Sequence, residues 1–156
     1  MTEVTRIADQ LRRAFEGPAW SGPCLLEVVQ GLTAAEAARH AGADAHSMWE
    51  IVLHVGAWHD IVRRRLEGET IANVTDEEDW PQVADTSNGG WTEAIARLKA
   101  SYAALHAAVL AHPFERLSTT VPGKDYSFYV MLHGAAQHDL YHAGQIALLR
   151  KFAGPQ

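Results

Sequence analysis

The chain contains one cysteine, Cys24, so no internal disulfide can form, and a reducing, cytoplasmic setting is expected. No stretch reaches the ~18 consecutive apolar residues of a membrane span, and the N-terminus lacks the apolar run of a signal peptide. Positive charge is scarce: 13 Lys and Arg face 19 Asp and Glu, a net charge of −6. That balance argues against a nucleic-acid partner, because phosphate binding needs clustered positive charge. The one basic cluster, Arg63-Arg64-Arg65, falls at the end of a predicted helix, where it complements the helix dipole. The alternation of a β-strand is missing apart from a weak pattern at Thr119–Val121. Internal repeats and low-complexity tracts are absent as well. These absences point to one all-α domain over residues 1–156, with no membrane partner.

Helical periods are what the sequence has in quantity. Val4, Ile7, Leu11, Ala14 and Phe15 recur at spacings of three and four, and Gly17-Pro18 and Gly22-Pro23 then interrupt the pattern. A short helix is predicted over Pro23–Gln30, and Thr33 with Glu36 forms a capping box for another turn through His40. Ser47 with Glu50 caps a long helix that runs to about Glu67 and is stopped by Gly68. Its inward stripe is Ile51, His54/Val55, Trp58, Ile61/Val62 and Arg65/Leu66. A third long helix is predicted from about Trp91, ending before Pro113, and a fourth from about Ser127 to Phe152. The fourth carries Phe128, Met131/Leu132, Ala135, His138, His142, Gln145/Ile146, Leu149 and Phe152 on one face. Between the second and third long helices lies Glu69–Gly90, long enough to recross the bundle and let those two helices run parallel. Its acidic run, Asp76-Glu77-Glu78-Asp79, reads as a solvated loop.

Nine histidines in 156 residues yield about half a His-x-x-x-His pair by chance, so the spacing of His138 and His142 says little by itself. Their position says more. Residues four apart share a helix face, and this face must point into the bundle. Imidazoles buried among apolar residues need partners, and burial favours the neutral form that ligates metals. His54 occupies the inward stripe of the second long helix and completes a three-nitrogen set. Three nitrogens leave a coordination position open, as in catalytic zinc sites, and nickel or ferrous iron also accepts imidazole. The competing reading is three core histidines bonded to carbonyls or to one another. The other six histidines read as surface or flanking residues; His59 and His133 are turned off the ligand face, and His106 flanks the apolar stripe of the third helix. Gln145, one turn beyond His142, is within reach of a water beside the ion, and Tyr141 and Asp139 are candidates to orient ligands. Cys24, beside Leu25 and Leu26, reads as a small buried hydrophobe.

The strings His46-Ser47-Met48-Trp49-Glu50-Ile51-Val52-Leu53-His54 and His138-Asp139-Leu140-Tyr141-His142-Ala143-Gly144-Gln145-Ile146, with Gly31-Leu32-Thr33 ahead of them, resemble the DinB-like (YfiT-like) family. The resemblance covers Ala19 to Lys151. It implies a four-helix bundle of up-down-down-up course, with His54, His138 and His142 binding zinc or nickel. It also implies a homodimer and, in some relatives, thiol S-transferase activity with a low-molecular-weight thiol, isomerase activity or metal-dependent hydrolysis. Relatives carry a histidine in the Trp-x-Gly-Pro turn where this chain has Trp20-Ser21-Gly22-Pro23, so a reaction that uses that histidine does not carry over.

The leading expectation is a metal-dependent enzyme acting on a small molecule, of thiol S-transferase or hydrolase type. The alternatives are a non-catalytic metal-binding stress or sensor protein, which would lack a cavity at the ion, and a purely structural bundle.

Overall fold

The computed structural model describes residues 1–42 and 45–153. Seven α-helices follow one another among them: α1 (Glu3–Phe15), α2 (Leu25–Val29), α3 (Ala34–Ala37), α4 (Met48–Leu66), α5 (Asp76–Asp79), α6 (Asn88–Ala111) and α7 (Phe128–Ala153), with a 3₁₀ turn at Phe114–Arg116. The helix starts are chemically marked. The side chains of Thr33 and Ser47 accept the backbone N–H of Glu36 and Glu50, whose carboxylates return the bond to the cap residue's own N–H. Gly68, at φ +101°, follows the end of α4, in a conformation that costs a side chain dearly.

Several boundaries differ from expectation. α3 stops at Ala37 instead of His40, and α6 begins at Asn88, capped by the hydroxyl of Ser87. The acidic run is no plain loop. Thr75 and Glu78 cap it into the single turn α5, whose four acidic residues suit the positive end of the helix dipole. At Thr119–Val121 there is one isolated bridge, Thr120 to Ser127, and no strand among the described residues.

The four long helices form the bundle. α4 packs on both α6 and α7, and so does α1. Paired residues give the helix directions. Trp49 lies against Trp91, Gly56 against Leu98, and His59 against Ser101, so α4 and α6 run parallel. His54 meets His142, Trp58 meets His138, and Arg65 meets Tyr126, so α7 runs antiparallel to α4. A parallel pair needs a connection that retraces its own length, and residues 67–87 do this along α4. Arg65 binds the carbonyl of Ile71 near one end, and Trp80 stacks on His54 and His46 near the other. The core fills the space between the helices with Leu11, Phe15, Val55, Leu98, Leu105, Leu132 and Ile146, all nearly inaccessible to solvent. Cys24 is fully buried, and burial pushes its thiol pKa up, as befits a packing residue.

Candidate metal centre

His54 projects from the middle of α4, and His138 and His142 from successive turns of α7. Their Nε2 atoms converge: 3.0 Å from His54 to His138 and 3.1 Å from His142 to His138. One ligand atom from each lies within 4.8 Å of the others, the arrangement needed to hold a metal ion. The outer nitrogens are fixed. Nδ1 of His54 donates to the backbone carbonyl of Asp79 at 2.7 Å, and Nδ1 of His142 donates to Gln145 Oε1 at 2.6 Å. Each of these rings, when neutral, therefore carries its hydrogen on Nδ1 and a lone pair on Nε2.

This proton count tests the donor set. His138 can place at most one hydrogen on its own Nε2, which satisfies one of its two neighbours and leaves the other contact lone pair to lone pair. A cation at the point of convergence would accept all three lone pairs. The two short separations are close to the roughly 3.3 Å expected between two nitrogens of one tetrahedral zinc. The residues present thus fit a divalent ion. They also stay neutral: burial, then the neighbouring rings, push the His138 pKa down to about 3, and burial and His54 push that of His142 down to about 4. Burial lowers that of His54 too. Neutral imidazole is the ligating form.

The connection between α4 and α6 forms one wall. The Trp80 ring lies on His54 with centroids 3.9 Å apart, and the Asp79 carboxylate accepts the indole N–H of Trp58 at 2.6 Å. Neither role was visible in the sequence, where Asp79 reads as solvated. Gln145 differs from expectation as well, since it binds His142 itself. Tyr141 is mostly exposed, with its ring edge-on to His142.

Two of the six histidines read as surface or flanking residues are buried. His112 packs against Phe128. His59 is 2% exposed and pairs with Asp139, which is fully buried, at 2.8 Å. The hydroxyl of Ser101 donates to the carbonyl of Leu98, so Nδ1 of His59 must donate to Ser101 Oγ, and a single proton lies between Nε2 and Asp139. Both nitrogens of His59 are thereby committed, which sets it apart from the three converging rings. Its burial follows from α4 packing on two helices, which widens the buried arc beyond one stripe. The recurrence Val55, His59, Val62 was the available signal. His106 packs against Tyr102.

Beside the triad opens a cavity of about 490 Å³, walled by Trp58, Val62, Met131, Ala135 and the three histidines, with Arg65 and Tyr126 also on its lining. Three imidazoles that converge at the edge of an apolar cavity, carried by an antiparallel helix pair and covered by a crossover segment, define a helical bundle with a candidate metal centre open on one side. The chain belongs to the DinB superfamily, whose sequence profile matches residues 24–146. No curated protein and no solved structure matches it. No helix among the described residues is long and apolar enough to cross a membrane.

Proposed function

We propose that the protein is a metal-dependent enzyme acting on a small molecule, of thiol S-transferase or hydrolase type, with His54, His138 and His142 as the ligands of one divalent ion. The observation that carries this reading is the convergence of three Nε2 atoms beside an apolar cavity of about 490 Å³. Zinc and nickel suit the imidazole set best, and ferrous iron is also compatible. A bound ion would supply Lewis acidity, which at neutral pH turns a thiol or a water into a nucleophile. The protein's own part is to hold the His54 and His142 rings in place through Asp79 and Gln145, and to shield the centre with Trp58 and Trp80. A low-molecular-weight thiol as co-substrate and a homodimeric state in the cytoplasm belong to the same proposal. A non-catalytic sensor needs no such cavity, which favours the enzyme reading.

Elemental analysis of the purified protein beside a His54→Ala/His138→Ala/His142→Ala variant tests the centre. Near-stoichiometric zinc, nickel or iron that is lost in the variant supports it. The metal-loaded protein is then screened with low-molecular-weight thiols plus electrophiles, and with activated esters and amides. A metal-loaded protein inert towards every pair would reduce the reading to metal binding alone.

A further inference from the structure

Arg65 departs from its two basic neighbours. Arg63 and Arg64 lie at the surface in ion pairs with Asp60, Glu67, Glu69 and Glu78. Arg65 turns inward, is 1% exposed and lines the cavity. Its guanidinium has five N–H donors to satisfy. One Nη donates to the Tyr126 hydroxyl at 3.1 Å and the other to the Ile71 carbonyl at 2.9 Å. The indole face of Trp58 lies 5.9 Å from Cζ, and buried Nε has no acceptor. Among the described residues no carboxylate pairs with Arg65. Asp79, the one acidic residue on the cavity wall, is committed to Trp58 and His54. A buried cation held only by neutral acceptors is costly unless something anionic approaches it.

The placement says what that anion belongs to. Arg65 stands three turns along α4 from His54, about 16 Å of helix. Trp58 bridges the gap, 5.9 Å from the guanidinium on one side and 5.8 Å from the His138 ring on the other. The cavity thus has a histidine pole and a cationic pole with apolar walls between them. We propose that Arg65, assisted by the Tyr126 hydroxyl, is an anion subsite that takes the carboxylate of a small, largely apolar substrate and directs its other end to the histidine pole. A planar carboxylate matches the planar guanidinium, and a monoanion matches a single cation. The substrate class rests on the cavity being the substrate site; the subsite itself does not require the metal.

The test is isothermal titration with 3-phenylpropionate and with its neutral primary amide. The proteins are the wild type with zinc, the His138→Ala variant, and Arg65→Met. The acid binds at least about tenfold more tightly than the amide to wild type and to His138→Ala, and the preference vanishes in Arg65→Met. Met keeps the packing of the Arg65 stem, and the variant's helical circular-dichroism signal is checked against the wild type before titration. In the wild type, the ¹H–¹⁵N signal of the Arg65 Nε–H shifts with the acid and stays with the amide, which requires no variant. Equal affinities for acid and amide overturn the subsite, as does a preference that survives Arg65→Met. A preference seen only with zinc bound also overturns it, because the acid is then an ion ligand, and the metal reading stands. Tighter binding of phenylphosphonate than of the acid overturns the assignment to carboxylates. Absence of zinc binding alongside an Arg65-dependent preference upholds the subsite and removes the metal reading instead.

Discussion

The indole of Trp80 stacks on the imidazole of His54, 13° from parallel, and the next residue back, Asp79, holds the far nitrogen of that same ring through its carbonyl. One dipeptide of the crossover segment thus fixes both the plane and the tautomer of a candidate ligand. Trp80→Ala removes the plane and leaves the carbonyl. Metal affinity, measured by competition with a chromogenic chelator, is expected to fall by about 10-fold or more, with the helical circular-dichroism signal retained. An unchanged affinity would show that Trp80 is mere cover.

Acid should weaken the metal-free fold in a defined window. The three rings are neutral in the folded state, with His138 near 3 and His142 near 4, against an ordinary value of 6.5. Below pH 6.5 the unfolded chain binds protons that the folded chain refuses, so stability drops as the pH falls from 6.5 towards 4 and is unaffected by these groups above it. Denaturant titrations of chelated protein at pH 7 and pH 5 measure the slope. His138→Asn should flatten it, and an equal slope in the two proteins would assign the acid sensitivity elsewhere.

His59 and Asp139 form a buried couple whose members depend on each other. Asp139→Ala strands an imidazole that is 2% exposed and should cost about 3–5 kcal/mol. The double change Asp139→Ala/His59→Leu should cost less than the two single changes added together. A double-mutant cycle by chemical denaturation gives the coupling, and additivity within about 0.5 kcal/mol would mean no coupling exists.

Gly134 lines the cavity, and a Cβ placed there meets no atom within 4 Å. Gly134→Leu is therefore expected to leave the helix intact or to stabilise it by roughly 0.5–1 kcal/mol, since glycine is a poor interior helix residue. The same change fills part of the space beside the histidines. Metal content should stay at the wild-type level while 3-phenylpropionate binding weakens by about 10-fold or more. Loss of metal together with the small molecule would show that Gly134 serves the centre and not the cavity.

Much of this was legible beforehand, for physical reasons. The Ser47 and Thr33 caps, the Gly68 stop and the 3.6-residue stripes are local, so the long helices stood out in the sequence. His54, His138 and His142 were legible as a group because each sits on an apolar stripe. What stayed hidden depended on packing between distant segments. His59 looked misplaced because one stripe was assumed where α4 buries two faces. Asp79 and Trp80 carry no local signal, and only the path of the crossover segment brings them to the histidines. Arg65 stood on the inward stripe but also inside a basic triplet, and the triplet suggested a helix-dipole role that its two neighbours suit better.

The parallel course of α4 and α6 also has a bearing on the order of assembly. His54 and its partner His138 are 84 residues apart in the chain, and everything between them serves to return the chain to the same place. A growing or clipped polypeptide that has formed α4 and α6 has the covering wall of the centre but only one of its three nitrogens. The other two arrive together when the last helix docks. If the three histidines hold an ion as proposed, its uptake would report on completion, silent for every partial product and sensitive to any loosening of the final helix before the rest of the bundle gives way.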